Sequence, residues 1–197
     1  MKTLKVKVTF IEELLGTASA DPNIHREYIA SKAPDALNIE EEIAALGIEE
    51  VAEKAMTIFP KENGKPFLFD YQWKGFLKDA CGALRKIKGT KSAKITAYKK
   101  VIDKLIFPKP RKIFLTIPEG CQIGNCQRPL RGQTAQGERI ALANSETVPA
   151  GTTSEFEILL LDESQEDWIK ELLEYGELGG TGQWRNSGKG RFTVEFL

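Results

Sequence analysis

The stretch Gly179-Gly-Thr-Gly-Gln-Trp-Arg-Asn-Ser-Gly-Lys-Gly-Arg191 groups side chains and backbone that together suit an anion. Glycines admit positive φ and let backbone N–H groups come close to a phosphate. Arg185, Lys189 and Arg191 add positive charge, and Trp184 adds a ring face on which a base can stack. It is not a P-loop, because GxxxxGK[ST] is absent and a strand rather than a helix follows. A flexible hairpin loop whose glycines merely turn the chain would use the same residues, so spacing alone leaves both readings open.

Charge points the same way. The chain is neutral overall, with 28 Lys/Arg and 28 Asp/Glu in 197 residues. Residues 61–131 nevertheless hold 17 basic against 5 acidic residues, a balance of +12, which leaves 11 basic and 23 acidic elsewhere, a balance of −12. A basic block of this kind suits a polyanion, since each phosphate neutralised releases counterions. A solvated lysine-rich helical surface would read identically. Within the block, Lys74, Lys78 and Arg85 fall on one side of an expected helix, and Lys88 and Lys91 lie in the basic loop that follows.

Signals for catalysis are thin. His25 is the only histidine, and a neutral imidazole can take a proton from a 2′-hydroxyl. It shares the segment Ala20–Glu27 with Asp21; the bland reading of either is a surface or capping residue. Cys121 and Cys126 are five positions apart, with Cys81 elsewhere and no nearby histidine, short of a zinc ligand set. No metal site and no cofactor are expected. Three cysteines, an odd number, make no disulfide framework and suit a reducing cytoplasm.

The elements that position these groups can be read from periodicity. An apolar share of 41% and a charged share of 28% are those of a globular domain, with no membrane-spanning apolar run. MKTLKVKVTF has no apolar h-region and reads as a strand, with Leu4, Val6, Val8 and Phe10 on one face. Phe76, Leu77, Ala80, Leu84 and Ile87 make a helical face, and Ala97, Tyr98, Val101, Ile102 and Leu105 another, ended by Pro108 and Pro110. Strands are expected at 111–118, 156–161 and 191–197, with a helix near 168–175 and a hairpin arm at about 119–137. A short strand is expected at 140–143. Residues 16–58 read as an insertion with acidic helical stretches. The order β, α, β, β, α, β gives an α+β fold with a ferredoxin-like, RRM-like antiparallel sheet, carrying that helical insertion and the β-hairpin arm.

At this point the chain resembles the RAMP superfamily of CRISPR-associated proteins. Three segments carry the resemblance, in the family's order. Gly64–Arg85 is similar to the family's short strand entering a helix, with Lys74, Gly75, Leu84 and Arg85 at matching places. Ser145-Glu-Thr-Val-Pro-Ala-Gly-Thr152 with Phe156 resembles the turn and strand of effector backbone subunits, and the Gly-rich loop resembles the family's loop before the last strand. The Gly-Ser-Ser expected before Lys74 is replaced by Tyr71-Gln72-Trp73, where aromatic rings could compensate by stacking.

The resemblance implies a single domain over 1–197 that binds single-stranded RNA without catalysis. The binding residues it implies are Lys74, Lys78, Arg85, Lys88, Lys91, Trp184, Arg185, Lys189 and Arg191, with Arg128 and Arg131 in the protruding hairpin. Some family members cut RNA with a His, or with an Asp in the loop after the first strand, which marks His25 and Asp21 as the candidates for a ribonuclease. Head-to-tail self-association along RNA is the implied homo-oligomer. The competing class is a protein-interaction module, of a phage or mobile element, that uses the fold to hold a protein partner through the acidic segment 35–53.

Overall fold

A computed structural model describes residues 1–19, 56–134 and 137–197; for 130–134 and 137–142 it describes the backbone alone. In chain order the strands are β1 (Lys2–Phe10), β2 (Leu14–Leu15), β3 (Ala18–Ser19), β4 (Met56–Ile58), β5 (Lys61–Glu62) and β6 (Lys65–Phe69). They continue with β7 (Ile106–Lys109), β8 (Lys112–Phe114), β9 (Gly124–Thr134), β10 (Gly137–Val148), β11 (Thr153–Leu160) and β12 (Phe192–Phe196). The helices are α1 (Asp70–Leu84), α2 (Tyr98–Leu105), α3 (Glu166–Glu174) and the single turn α4 (Gly176–Gly179).

The main sheet has the order β12-β1-β11-β7 with every neighbouring pair antiparallel. Between β1 and β7 the chain passes through α1, and between β11 and β12 through α3, so two split βαβ units interleave. That is the ferredoxin-like arrangement. Period-two alternation puts Leu4, Val6, Val8 and Phe10 of β1 and Phe156, Ile158 and Leu160 of β11 on the buried face. Helical spacing brings Trp73, Phe76, Leu77 and Ala80 of α1 and Trp168, Ile169, Leu172 and Leu173 of α3 onto it. Aromatic rings fill the join. Trp73 lies 4.5 Å from Phe156, and Phe76 5.1 Å from Phe192, between ring centroids.

The other face of this sheet is charged. Lys5 stands opposite Glu157, which stands opposite Lys109, while Lys7 stands between Glu155 and Glu195. Neighbouring strands therefore carry opposite signs, with ion pairs of 3.9 Å (Lys5–Glu157) and 3.5 Å (Lys7–Glu155). Exposed pairs of this kind add only tenths of a kcal/mol each, on the order of 0.2–1. They leave no aromatic stacking platform on these strand positions.

A second sheet, β2-β10-β4-β3, carries β9 as the partner of β10. The register runs from Thr134↔Gly137 at the tip to Gly124↔Thr147 at the root. The expected arm at 119–137 and the expected strand at 140–143 are thus the two sides of one hairpin. Ser19 and Thr57 pair across β3 and β4, so the chain leaves and re-enters the described structure at one point. The helices expected within residues 20–55 lie outside the described residues.

Other differences have local causes. Helix α2 stops at Leu105, and Ile106–Lys109 becomes an edge strand beside β11, where Pro108 is tolerated because no inner ladder needs its N–H. The strand expected at 111–118 is short. It pairs with β6 through Phe67↔Phe114, and Thr116 then bridges Thr153. Ile87 lies past the end of α1 and is exposed rather than part of its apolar face.

Candidate functional site

Helix α1 begins at a satisfied cap. The Gln72 carboxamide oxygen accepts the Phe69 N–H at 2.7 Å, and Asp70 places an acidic group in the first turn, which suits the helix dipole. The Gln72 amide donates to the Thr17 hydroxyl, fixing the helix start against the segment after β2. With Trp73, Phe76 and Leu77 turned into the core, Tyr71, Lys74, Gly75 and Lys78 fall on the opposite side. Among the described residues, nothing outside its chain neighbours and its own helix backbone lies within 4 Å of where a Cβ on Gly75 would sit, so the surface opens there.

The Gly-rich loop forms the facing wall. Gly180, Gly182, Gly188 and Gly190 have φ of 62°, 77°, 87° and 71°, a region that favours glycine. Two of them also permit close approach. A Cβ on Gly190 would lie 1.9 Å from the Thr181 carbonyl oxygen, and one on Gly182 2.9 Å from a Leu14 methyl. Thr181 N–H donates to Gly190 O at 2.9 Å, Gly190 N–H to Glu13 O at 2.8 Å, and the Gln183 amide to Gly16 O at 2.9 Å. The loop is pinned to itself and to residues 13–16, so the glycines do more than turn the chain.

Between the two walls lies a cleft of about 430 Å³. Lys74, Lys78 and Arg185 converge on it, with Tyr71, Asp79 and Asp103. Each cation has an internal partner. Arg185 pairs with Asp79 at 2.5 Å, and Lys78 pairs with the Asp103 carboxylate. The Lys74 ammonium donates to the Asp103 carbonyl at 3.2 Å and sits 4.3 Å from the centre of the Phe107 ring. Burial pulls the Lys74 pKa below the ordinary lysine range, and the nearby Asp103 and Asp70 only partly offset this. Lys189, on the loop's far side, pairs with Glu13 at 2.9 Å, and that hydrogen bond raises its pKa.

Arg128 and Trp184 form a second grouping. Arg128 is only 7% exposed, near the hairpin root, where its strand pairs with β10. Its guanidinium donates to Gln183 Oε1 at 2.8 Å and to the Ser145 hydroxyl at 3.4 Å, and lies 5.1 Å from the Trp184 ring centre. Burial thus turns Arg128 toward the loop rather than toward solvent. Trp184, with φ of 55° and 38% exposed, keeps part of its ring open.

The remaining sequence candidates lie elsewhere. Arg85 caps the far end of α1 with its guanidinium 5.2 Å from the Tyr98 ring centre. Lys88 is exposed in the turn beyond. Lys91 pairs with Asp167 of α3 at 3.3 Å, and neither Lys88 nor Lys91 lines the cleft. Arg191 is exposed, and its carbonyl accepts the Ile11 N–H at 2.9 Å. Arg131 stands opposite Ile140 in the hairpin. Asp21 and His25 lie outside the described residues. Trp73 is unavailable for stacking on a base: it is 1% exposed, because it shares a helical face with Phe76, Leu77 and Ala80. Tyr71 instead stacks on Phe69, with the Arg111 guanidinium 5.1 Å from its ring centre.

Asp79, Asp103 and the bonding of Gln183 escaped the sequence reading. Asp79 adjoins Lys78 and could have been flagged, but Asp103 reaches the cleft only because α2 packs beside α1. Among the described residues no group of three or more His, Cys, Asp or Glu is placed to hold a metal ion, and no helix is long and apolar enough to cross a membrane.

No protein-family model and no curated protein matches the sequence. Solved structures do match the fold. One is a chain of the cryo-EM structure of the type III-B Cmr-beta bound to cognate target RNA, with a TM-score of 0.55 and 11% identity, over 100% of this chain and 61% of that one. Another is a chain of a type IV-B CRISPR complex, with a TM-score of 0.47 and 12% identity, over 100% of this chain and 90% of that one. The present chain thus spans about three fifths of the Cmr-beta chain it resembles. At such identity the likeness concerns architecture alone, and it agrees with the topology: the chain has a ferredoxin-type α+β fold similar to that of the Cmr-beta chain.

Proposed function

We propose that the protein binds single-stranded RNA in the cleft between α1 and the Gly-rich loop, as a non-catalytic RAMP-like module of a larger ribonucleoprotein assembly. The observation that carries this reading is the convergence of Lys74, Lys78 and Arg185, from two distant chain segments, on one concave surface backed by a pinned loop. Phosphates sit against the cations, and a base stacks on the open part of the Trp184 ring. The fold likeness to a chain from an RNA-bound Cmr-beta structure supports the choice of RNA over other polyanions. Residues 1–197 act as a single domain, with the β9–β10 hairpin as its arm. Complementary acidic and basic regions let copies line up along a bound strand.

Fluorescence anisotropy with a labelled 20-nucleotide RNA tests the reading. Wild type binds with a salt-dependent Kd, and Lys74→Ala/Arg185→Ala weakens binding and flattens the salt slope, by no more than about 0.7 per lost phosphate contact. Equal binding by wild type and the double variant would remove the cleft from the interface. Absence of any binding would turn attention to the protein-interaction reading.

A further inference from the structure

The cleft is less positive than its lysines and arginine suggest. Lys74, Lys78 and Arg185 bring three charges, and Asp79 and Asp103 cancel two of them. The cancellation is by contact, not merely by proximity. Asp79 holds Arg185 at 2.5 Å, Asp103 holds Lys78 through its carboxylate, and the Asp103 carbonyl holds Lys74. Both carboxylates are half exposed, with side-chain exposures of 56% and 50%, so solvent and ligand can reach them.

We infer that Asp79 and Asp103 are specificity-determining residues of the cleft, which reserve it for a multivalent phosphate strand and exclude single nucleotides; the inference rests on the RNA-binding reading. Its physical basis is exchange. A phosphate that reaches Arg185 must replace a carboxylate already bound there, so one charge-assisted contact is traded for another and little net energy is gained. A mononucleotide makes one such trade and loses its translational freedom for it. A strand makes several trades on one loss of freedom, and its neighbouring phosphates reach the second pair at a high effective concentration. The exchange also releases fewer ions, because each freed carboxylate recruits a cation as each phosphate sheds one.

The test uses the full chain and four proteins: wild type, Asp79→Asn, Asp79→Asn/Asp103→Asn, and Glu174→Gln. The last removes one exposed carboxylate of α3 away from the cleft. Anisotropy with a labelled 20-nucleotide oligouridylate is measured across salt concentrations, with uridine monophosphate as competitor and thermal melts as a folding control. The double Asn variant is expected to bind the strand about ten-fold tighter, with a steeper salt slope, and to be displaced by the mononucleotide at concentrations that leave wild type occupied. Glu174→Gln shifts binding by less than about two-fold.

If wild type binds the strand and the Asn variants change no more than Glu174→Gln, the exchange inference is overturned while the RNA reading stands. If the Asn variants bind the strand tighter but still ignore the mononucleotide, the selectivity claim is overturned. If neither wild type nor the double Asn variant binds, the RNA reading fails and takes the inference with it.

Discussion

Two regions of this molecule are rich in cations, and they differ in what stands behind them. The turn after α1 and the short helix beyond it place Lys86, Lys88, Lys91 and Lys94 within nine residues on an exposed surface. The cleft gathers only Lys74, Lys78 and Arg185, but from segments more than a hundred positions apart, onto a helix seated in the core and a loop bound to itself. Local charge density identifies the first; only tertiary packing produces the second. A cation on a fixed backbone in a concave site loses less rotamer freedom when it grips a ligand and faces less competing water.

The sharpest way to break that contrast is to unpin the loop. Gly190→Ala drives a methyl into the Thr181 carbonyl at a positive φ, and should cost about 2–4 kcal/mol in urea unfolding together with most RNA binding. Unchanged stability would show that the loop does not need its tight crossing. Next in size, Lys74→Ala/Arg185→Ala should weaken RNA binding by about thirty-fold, against less than about three-fold for Lys88→Ala/Lys91→Ala, both read by anisotropy at one salt concentration. Equal losses would mean that exposed charge outside the cleft serves as well as charge within it.

The two regions also part on pH. On the turn side, the Glu171 carboxylate accepts from Lys91 N–H at 2.7 Å, Ser92 N–H at 2.9 Å and the Ser92 hydroxyl at 2.6 Å. Burial acts to raise its pKa, but these hydrogen bonds prevail and hold it below the usual carboxylate value of 4.5. A lowered pKa stabilises the fold at pH values above the unfolded-state pKa and ceases to do so as pH falls through the folded one. Glu171→Gln should therefore destabilise the fold at neutral pH, by a difference that fades as acidification takes the pH below the usual carboxylate range, read in denaturant titrations.

In the cleft the effect is smaller and lies at the other end of the scale. Lys74 is held below the ordinary lysine range by burial, so its charge is lost on alkalinisation earlier than that of an exposed lysine. As pH rises toward the ordinary lysine range, RNA affinity should fall more steeply in wild type than in Lys74→Arg, whose guanidinium stays charged. Parallel pH profiles would show that Lys74 does not face phosphate.

How far the sequence could be read follows from the range of each interaction. Alternation in β1 and β11 and the apolar stripes of α1 and α3 are local patterns, and they lead directly to the ferredoxin-like order. Trp73 looked like a base-stacking ring by its place in a motif, yet its spacing to Phe76, Leu77 and Ala80 already marked it as core. Pro108 reads as a helix stop, and nothing local reveals that the following residues add an edge strand. Arg185 was visible in the Gly-rich loop, but its pairing with Asp79 spans 106 positions. Asp103 and Asp79 become part of the site only when α1, α2 and the loop meet.

The pairing of Ser19 with Thr57 has a consequence for how this fold tolerates change. Adjacent antiparallel partners stand about 5 Å apart, so whatever chain joins them starts and finishes in nearly the same place. Closing such a loop costs only about 0.6 kcal/mol more each time its length doubles. A change in the length of the segment that joins β3 to β4 therefore costs little closure entropy, and the Ser19–Thr57 pairing can persist through it.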